Sequence, residues 1–292
     1  MTKSANFDVR RSIAVNLYLR AFKDAIVRFD DKKGWQRSSH IALSMMFALF
    51  PFCIFVLALA GVSSSGLDSQ KVINLVFGAW PDVFAAPIVK ELSAVLHQSD
   101  GKTLTFSGLL AVFFASNGVD AIRVSITDAY REVDTRPFWK TRLLCISFVV
   151  AGGGILIAVA AFLFAIPLYL DLLDATKMNL VPLGFRDWKT PWLGALVLLI
   201  IALVACHKWL PGVHRPVKDL LPGVLLTVLL WFLIAKIFET YLVHFSTYSV
   251  TYAGLAGIVA TQLFMYLMAV IFVYGAEFNG RLAELKAKAK TA

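Results

Sequence analysis

Asp120 and Arg123 stand three residues apart in a stretch that is otherwise apolar, with Asn117 one turn earlier. At that spacing on a helix the carboxylate and guanidinium share a face. An ionisable pair within a membrane span is costly, so it turns towards protein or water, where it can carry protons or meet an anionic group. Lys236 and Glu239 repeat the arrangement in a second apolar stretch. The bland reading of both pairs is snorkelling at a membrane edge or fixing of helix register. These five residues, Asn117, Asp120, Arg123, Lys236 and Glu239, form the candidate intramembrane polar site. No catalytic set competes with them. The five histidines are scattered over separate segments with no H-x-x-x-H pair, and Cys53, Cys145 and Cys206 lie in apolar runs without metal-ligand spacing. Neither a metal site nor a cofactor-binding motif is expected, and no Walker sequence is present for direct ATP coupling.

The elements that must position the polar residues are membrane spans. Hydrophobic residues make up 59% of the 292 and charged ones only 16%, outside the range of soluble domains. Leu143 to Leu170 is a run of 28 residues without a charge. Leu104 to Ser116 gives only 13 such residues, roughly 20 Å of helix against a hydrocarbon core of about 30 Å. That span must therefore continue through Asn117, Asp120 and Arg123 to about Ile126, and the other spans are expected to pack around it. Six spans follow, near 41–62, 104–126, 143–170, 191–210, 220–243 and 254–276. The first apolar run begins only near Ile41 with no cleavage signal, so the first span is expected to be retained.

Charge placement predicts orientation. With Arg123 and Lys208 assigned to the connections they adjoin, twenty-one of the 28 Lys and Arg residues fall in the N-terminal segment, the second and fourth connections and the C-terminal tail. Six fall in the other three connections, and Lys236 lies inside the fifth span. By the positive-inside rule both termini are cytoplasmic. The net charge of +9 thus records orientation, with contact to anionic lipids added, rather than nucleic-acid binding. Membrane lipids, anionic ones in particular, are the implied partners. No nucleic acid is expected, and no protein partner can be named.

The fold class is accordingly an all-α integral membrane protein. It divides into a cytoplasmic segment at 1–39, a six-helix membrane domain at 40–280 and a basic tail at 281–292. In the first segment Ala14, Leu17, Tyr18, Ala21, Phe22, Ala25, Ile26 and Phe29 follow helical spacing, with Arg20, Lys23, Asp24 and Arg28 opposite. Such a basic helix lies on the membrane surface or docks on the bundle. In the first outer loop, Phe84, Ile88, Leu92, Val95 and Leu96 predict an amphipathic helix after Pro81-Asp82, and 67–80 predicts another. Pro51, mid-way along the first span, is a candidate kink.

WLPGVHRPVKDLLPG, FETYLVHFSTYSVTYAG and VYGAEFNGRL, in that order relative to the spans, resemble the YihY/BrkB family of bacterial inner-membrane proteins. ITDAYREVDTRPFW, with Arg136, and the Pro51-bearing first span are also similar. The resemblance covers about residues 20 to 285. Its markers are Pro211, Arg215, Asp219, Gly223, Tyr241, Tyr252, Gly275, Ala276 and Glu277. Leu43 and Ala48 replace a Tyr and a Ser usual in the family, and Tyr252-Ala253-Gly254 replaces Tyr-Gly. The resemblance implies six helices in the bacterial inner membrane and says little of activity. Family names carry a virulence association and an old ribonuclease BN label, and some members are linked to lipopolysaccharide export. Transport or handling of an anionic amphiphile is the favoured function. A non-transporting scaffold or assembly factor is the alternative, and ribonuclease activity is disfavoured.

Overall fold

The computed structural model describes residues 2–63, 101–130, 133–155, 189–213, 215–245 and 249–291. Among them every regular element is a helix: α1 Thr2–Asp31, α2 Gly34–Ser63, α3 Gly101–Ala129, α4 Phe138–Ile155, α5 Lys189–Trp209, α6 Val217–Phe245 and α7 Ser249–Thr291. Four of these are long and apolar enough to cross a membrane: 105–129 of α3, α4, 217–241 of α6 and 257–289 of α7. A shorter apolar stretch, Leu193–Trp209, lies in α5. The first outer loop, the second half of the third predicted span and the third connection lie outside the described residues.

A tight corner separates α1 from α2. Lys33 adopts φ 58°, the left-handed conformation that ends helices, and its N–H donates to Asp30 O at 2.9 Å. Gly34 then packs against the Phe29 ring so closely that a Cβ there would sit 2.5 Å from it. The Trp35 indole seals the corner edge-on to Phe29 and donates to Asp30 Oδ1 at 3.1 Å.

Helices α2 and α3 run antiparallel in close register. Arg37 pairs with Asp128, Met45 lies over Gly118, Phe47 meets Phe114, and Phe55 lies over Gly108. Glycines on α3 let the α2 side chains approach. The helix α2 continues through Pro51, which is buried. Helices α6 and α7 are also antiparallel, from Gly223 against Gly275 to Phe238 against Phe264, whose ring centroids are 5.0 Å apart.

The hub differs from the sequence expectation. The polar helix α3 packs chiefly on α2, whereas α7 touches α1, α2, α3 and α6. Composition hid this, because α7 looks like a span followed by a separate basic tail. It is instead one helix of 43 residues, about 64 Å long, twice a hydrocarbon core. Its second half is not solvated throughout: Phe278 and Leu282 are buried against Ala21 and Ala25 of α1. Tyr18, Phe22, Asp24 and Arg28 of α1 meet residues 274–284 of α7, so the last part of α1 docks on the extension of α7 beyond its apolar part. The predicted polar face of α1 needs one correction. Arg28 is buried, because it meets Glu277 at 3.5 Å and Glu284 at 3.3 Å on α7.

Candidate functional site

The ends of α1, α3 and α5 and the starts of α2, α4 and α6 meet at one end of the bundle, around residues 275–286 of α7. Polar ties join them across the chain. Lys32 Nζ donates to the Asp128 carbonyl at the end of α3, and Arg281 pairs with Asp24 at 2.7 Å. Lys286 lies 3.4 Å from Asp219. The C-terminal carbonyls of α3 attract cations because the helix dipole places negative partial charge there.

Four arginines and two aspartates gather at this end, beside the α3–α4 turn. Arg123 Nε donates to Asp120 Oδ1 at 2.8 Å, and its Nη1 reaches Asp134 Oδ2. Arg136 grips the same carboxylate with Nε and Nη2, both at 2.8 Å, while its backbone N–H donates to Asp134 Oδ1 at 3.0 Å. Its Nη2 also donates to the Leu210 carbonyl, tying the α3–α4 turn to the end of α5. Gly212 in the next loop packs on Asp134, where a Cβ would stand 3.2 Å from Oδ1. Arg136 chiefly holds the Asp134 carboxyl down at about 2, against the opposing effect of burial, and Arg123 adds to it.

Arg142 on α4 donates to Asn117 Oδ1 at 2.6 Å and stands over the Phe113 ring at 5.2 Å. No carboxylate among the described residues pairs with it. Arg215 stacks over the Tyr130 ring at 4.6 Å and donates to the Tyr130 carbonyl at 3.4 Å. Among the described residues the group thus gathers four guanidinium groups around two carboxylates. Beside it Phe138 and Trp139 project at the start of α4, 68% and 79% exposed. Aromatic side chains in such a position suit the headgroup layer of a bilayer.

The predicted polar residues divide into two places. Asn117, Asp120 and Arg123 belong to the arginine group, with Asp120 still 40% exposed. Lys236 and Glu239 pair with each other at 2.8 Å on α6, 76% and 63% exposed, and touch none of the other three. Of the family positions, Arg136 and Arg215 lie in the arginine group, Pro211 is buried beside it and Asp219 pairs with Lys286. Gly223 and Gly275 are the close contact of α6 with α7, and Ala276 is buried. Tyr241 is exposed with its ring on Phe238, and Glu277 is buried beside Arg28 and Lys32. The Tyr252 side chain lies outside the described residues.

Sequence reasoning missed Asp134, Arg142 and Asn279. Asp134 lies in a turn 11 residues from Arg123, beyond helical periodicity. Asn279 bridges two helices: its Oδ1 accepts from Gly223 N–H at 2.7 Å and its Nδ2 donates to Leu220 O at 2.8 Å. Pro222 explains the need, since a proline in the second turn of α6 loosens local backbone bonding that a side-chain amide can restore. The one available signal was an amide in a run of apolar and small residues, VYGAEFN.

The family model for virulence factor BrkB matches residues 25–292. The chain belongs to this family. Among BrkB relatives, a Bacillus subtilis (strain 168) protein named ribonuclease-like protein YfkH is 26% identical over 269 residues, covering 90% of this chain and 95% of its own. A UPF0761 membrane protein of Xanthomonas oryzae pv. oryzae is 24% identical over 272 residues, and one of Xanthomonas campestris pv. campestris is equally similar. Against these two the chain spans about 60% of their length. No solved structure matches the chain. The BrkB assignment and the long apolar helices together make this a membrane protein.

Proposed function

We propose that this BrkB-family protein crosses the bacterial inner membrane several times, with both termini in the cytoplasm, and handles an anionic amphiphile such as an envelope lipid. The observation that carries the reading is the arginine group of Arg123, Arg136, Arg142 and Arg215, in which no described carboxylate pairs with Arg142, beside exposed Phe138 and Trp139. Guanidinium forks suit phosphate geometry, and a headgroup held there leaves its tails in the bilayer. Asp120 remains partly exposed beside Arg123.

A non-transporting scaffold is the second reading. It is favoured by the separation of Lys236 and Glu239 from Asp120, which leaves the two charge pairs as local contacts rather than one polar path. The ribonuclease-like name of the Bacillus relative is not carried over. Both aspartates of the group are held by arginines, and Asp134 at about 2 is too weak a base for general base work near neutral pH.

Native mass spectrometry of the purified protein tests the reading. Wild type should retain phosphatidylglycerol over phosphatidylethanolamine, and Arg142→Gln should lose about tenfold of that preference while keeping its fold. Bulk lipid without preference, unchanged by the substitution, would return the scaffold.

A further inference from the structure

We infer that a resident anionic phospholipid sits between α1 and α6, with one acyl chain in a groove at the end of the bundle. This site is distinct from the arginine group, and it needs no translocation of the lipid. The groove has a volume of about 330 Å³, at the lower end of the range for small-molecule sites. Tyr18, Leu19 and Phe22 form one wall, Pro222, Leu225 and Leu226 the other, and Phe278 of α7 the floor. No charged side chain lines it.

Continuity with the bilayer-facing surface identifies the occupant. On α6 the exposed side chains Leu225, Leu229, Phe232, Leu233 and Ile237 recur at helical spacing, so they form one apolar stripe along a predicted span. Leu225 belongs both to that stripe and to the groove. On α1 the exposed Leu19 and Ile26, with the outer edges of Tyr18 and Phe22, whose rings also meet α7, make a second stripe. A hydrocarbon chain from the bilayer can enter between the two stripes and bury apolar surface of both, which water there could not.

Charge selects the headgroup. Arg20 and Lys23 each follow a groove residue on α1, and Lys218 stands one turn before Pro222 on α6. All three are exposed and enter none of the ion pairs among the described residues. The neighbouring carboxylates are already engaged, Asp24 by Arg281 and Asp219 by Lys286. The rim is therefore cationic over an apolar slot, the complement of an anionic phospholipid at the water interface. The bound lipid would hold α1 against the bundle along the edge that protein contacts leave open.

The test uses the full chain in phosphatidylethanolamine vesicles with a trace of lipid bearing a photoreactive acyl chain, followed by mapping of adducts by mass spectrometry. With a phosphatidylglycerol probe, adducts should fall on peptides of both α1 and α6. In the R20Q/K23Q/K218Q variant the α1 adducts should drop about tenfold, while a phosphatidylethanolamine probe shows no change. Labelling of the α6 stripe without α1 would overturn the site. Equal labelling of α1 by both probes would overturn its anionic selectivity. Leu19→Trp, which fills the slot and keeps every rim charge, should also abolish the α1 adducts; undiminished labelling in it would count against the groove. Arg142→Gln should leave these adducts unchanged, so failure here and failure of the amphiphile-handling reading are separable.

Discussion

Asp134 shows how one carboxylate can govern the arginine group. Its carboxyl is held at about 2, below the ordinary 3.8, so the stabilisation it provides is full above about pH 4 and is lost as the pH falls towards 2. A thermal melt of the wild type should be flat in this respect from pH 7 to 4 and then decline. Asp134→Asn should cost about 2 kcal/mol at pH 7 and remove that acid-dependent part of the decline. An unchanged melting temperature at pH 7 would show that Arg123 and Arg136 find other partners. The pairing of Asp120 with Arg123 was legible in the sequence, because three-residue spacing on a helix brings side chains together whatever the tertiary fold. Asp134 and Arg142 were not, because their partners are set by how a turn folds back and how α4 meets α3. The burial of Arg28 was hidden for a related reason. On a helical wheel it belongs to the polar face, and only α7 supplies the two glutamates that draw it inwards.

At the scale of elements, the contact between α6 and α7 is the most constrained in the bundle. A Cβ at Gly223 would lie 2.3 Å from the Gly275 carbonyl oxygen and 2.5 Å from the Asn279 side chain, and one at Gly275 would lie 2.0 Å from Thr227 Oγ1. Backbone stands in the way in the first case, so the helices must separate and the Asn279 bridge to Leu220 and Gly223 must stretch. Gly223→Ala should therefore cost about 1–3 kcal/mol, measured as a lowered melting temperature in a fixed detergent. Gly194→Ala is the control, since nothing lies within 4 Å of a Cβ there. Equal shifts in both would mean that the helices do not touch as described. The existence of the helices was well signalled by long uncharged runs, whereas their ends were not. Helix α2 begins at Gly34 and α7 runs to Thr291. Hydropathy marks where lipid could begin, but backbone hydrogen bonding carries a helix past that point into water or onto a neighbouring helix.

For the whole molecule, the same end that gathers the arginine group also gathers both terminal helices, α1 by its last turns and α7 by its second half. Asp24 with Arg281, Lys286 with Asp219 and Arg136 with the Leu210 carbonyl bring the terminal helices and two connections to a single face. The sequence could signal that grouping only as alternation of Lys and Arg between connections; the geometry supplies contacts that require it. Which face is cytoplasmic is a separate matter, and it rests on the positive-inside bias. The bias acts on connections near the spans, so the short second and fourth ones, with Arg136, Lys140, Arg142, Arg215 and Lys218, should carry most of it. A membrane-impermeant maleimide tests this in spheroplasts of cells making Ser4→Cys, Lys288→Cys or Ser249→Cys, each without the native cysteines. The first two should label only after the membrane is opened, and the third, at the opposite end of α7, should label in intact spheroplasts. The reverse pattern would place the arginine group outside. An anionic lipid could then meet it only from the outer leaflet, and handling would have to begin with material that had already crossed.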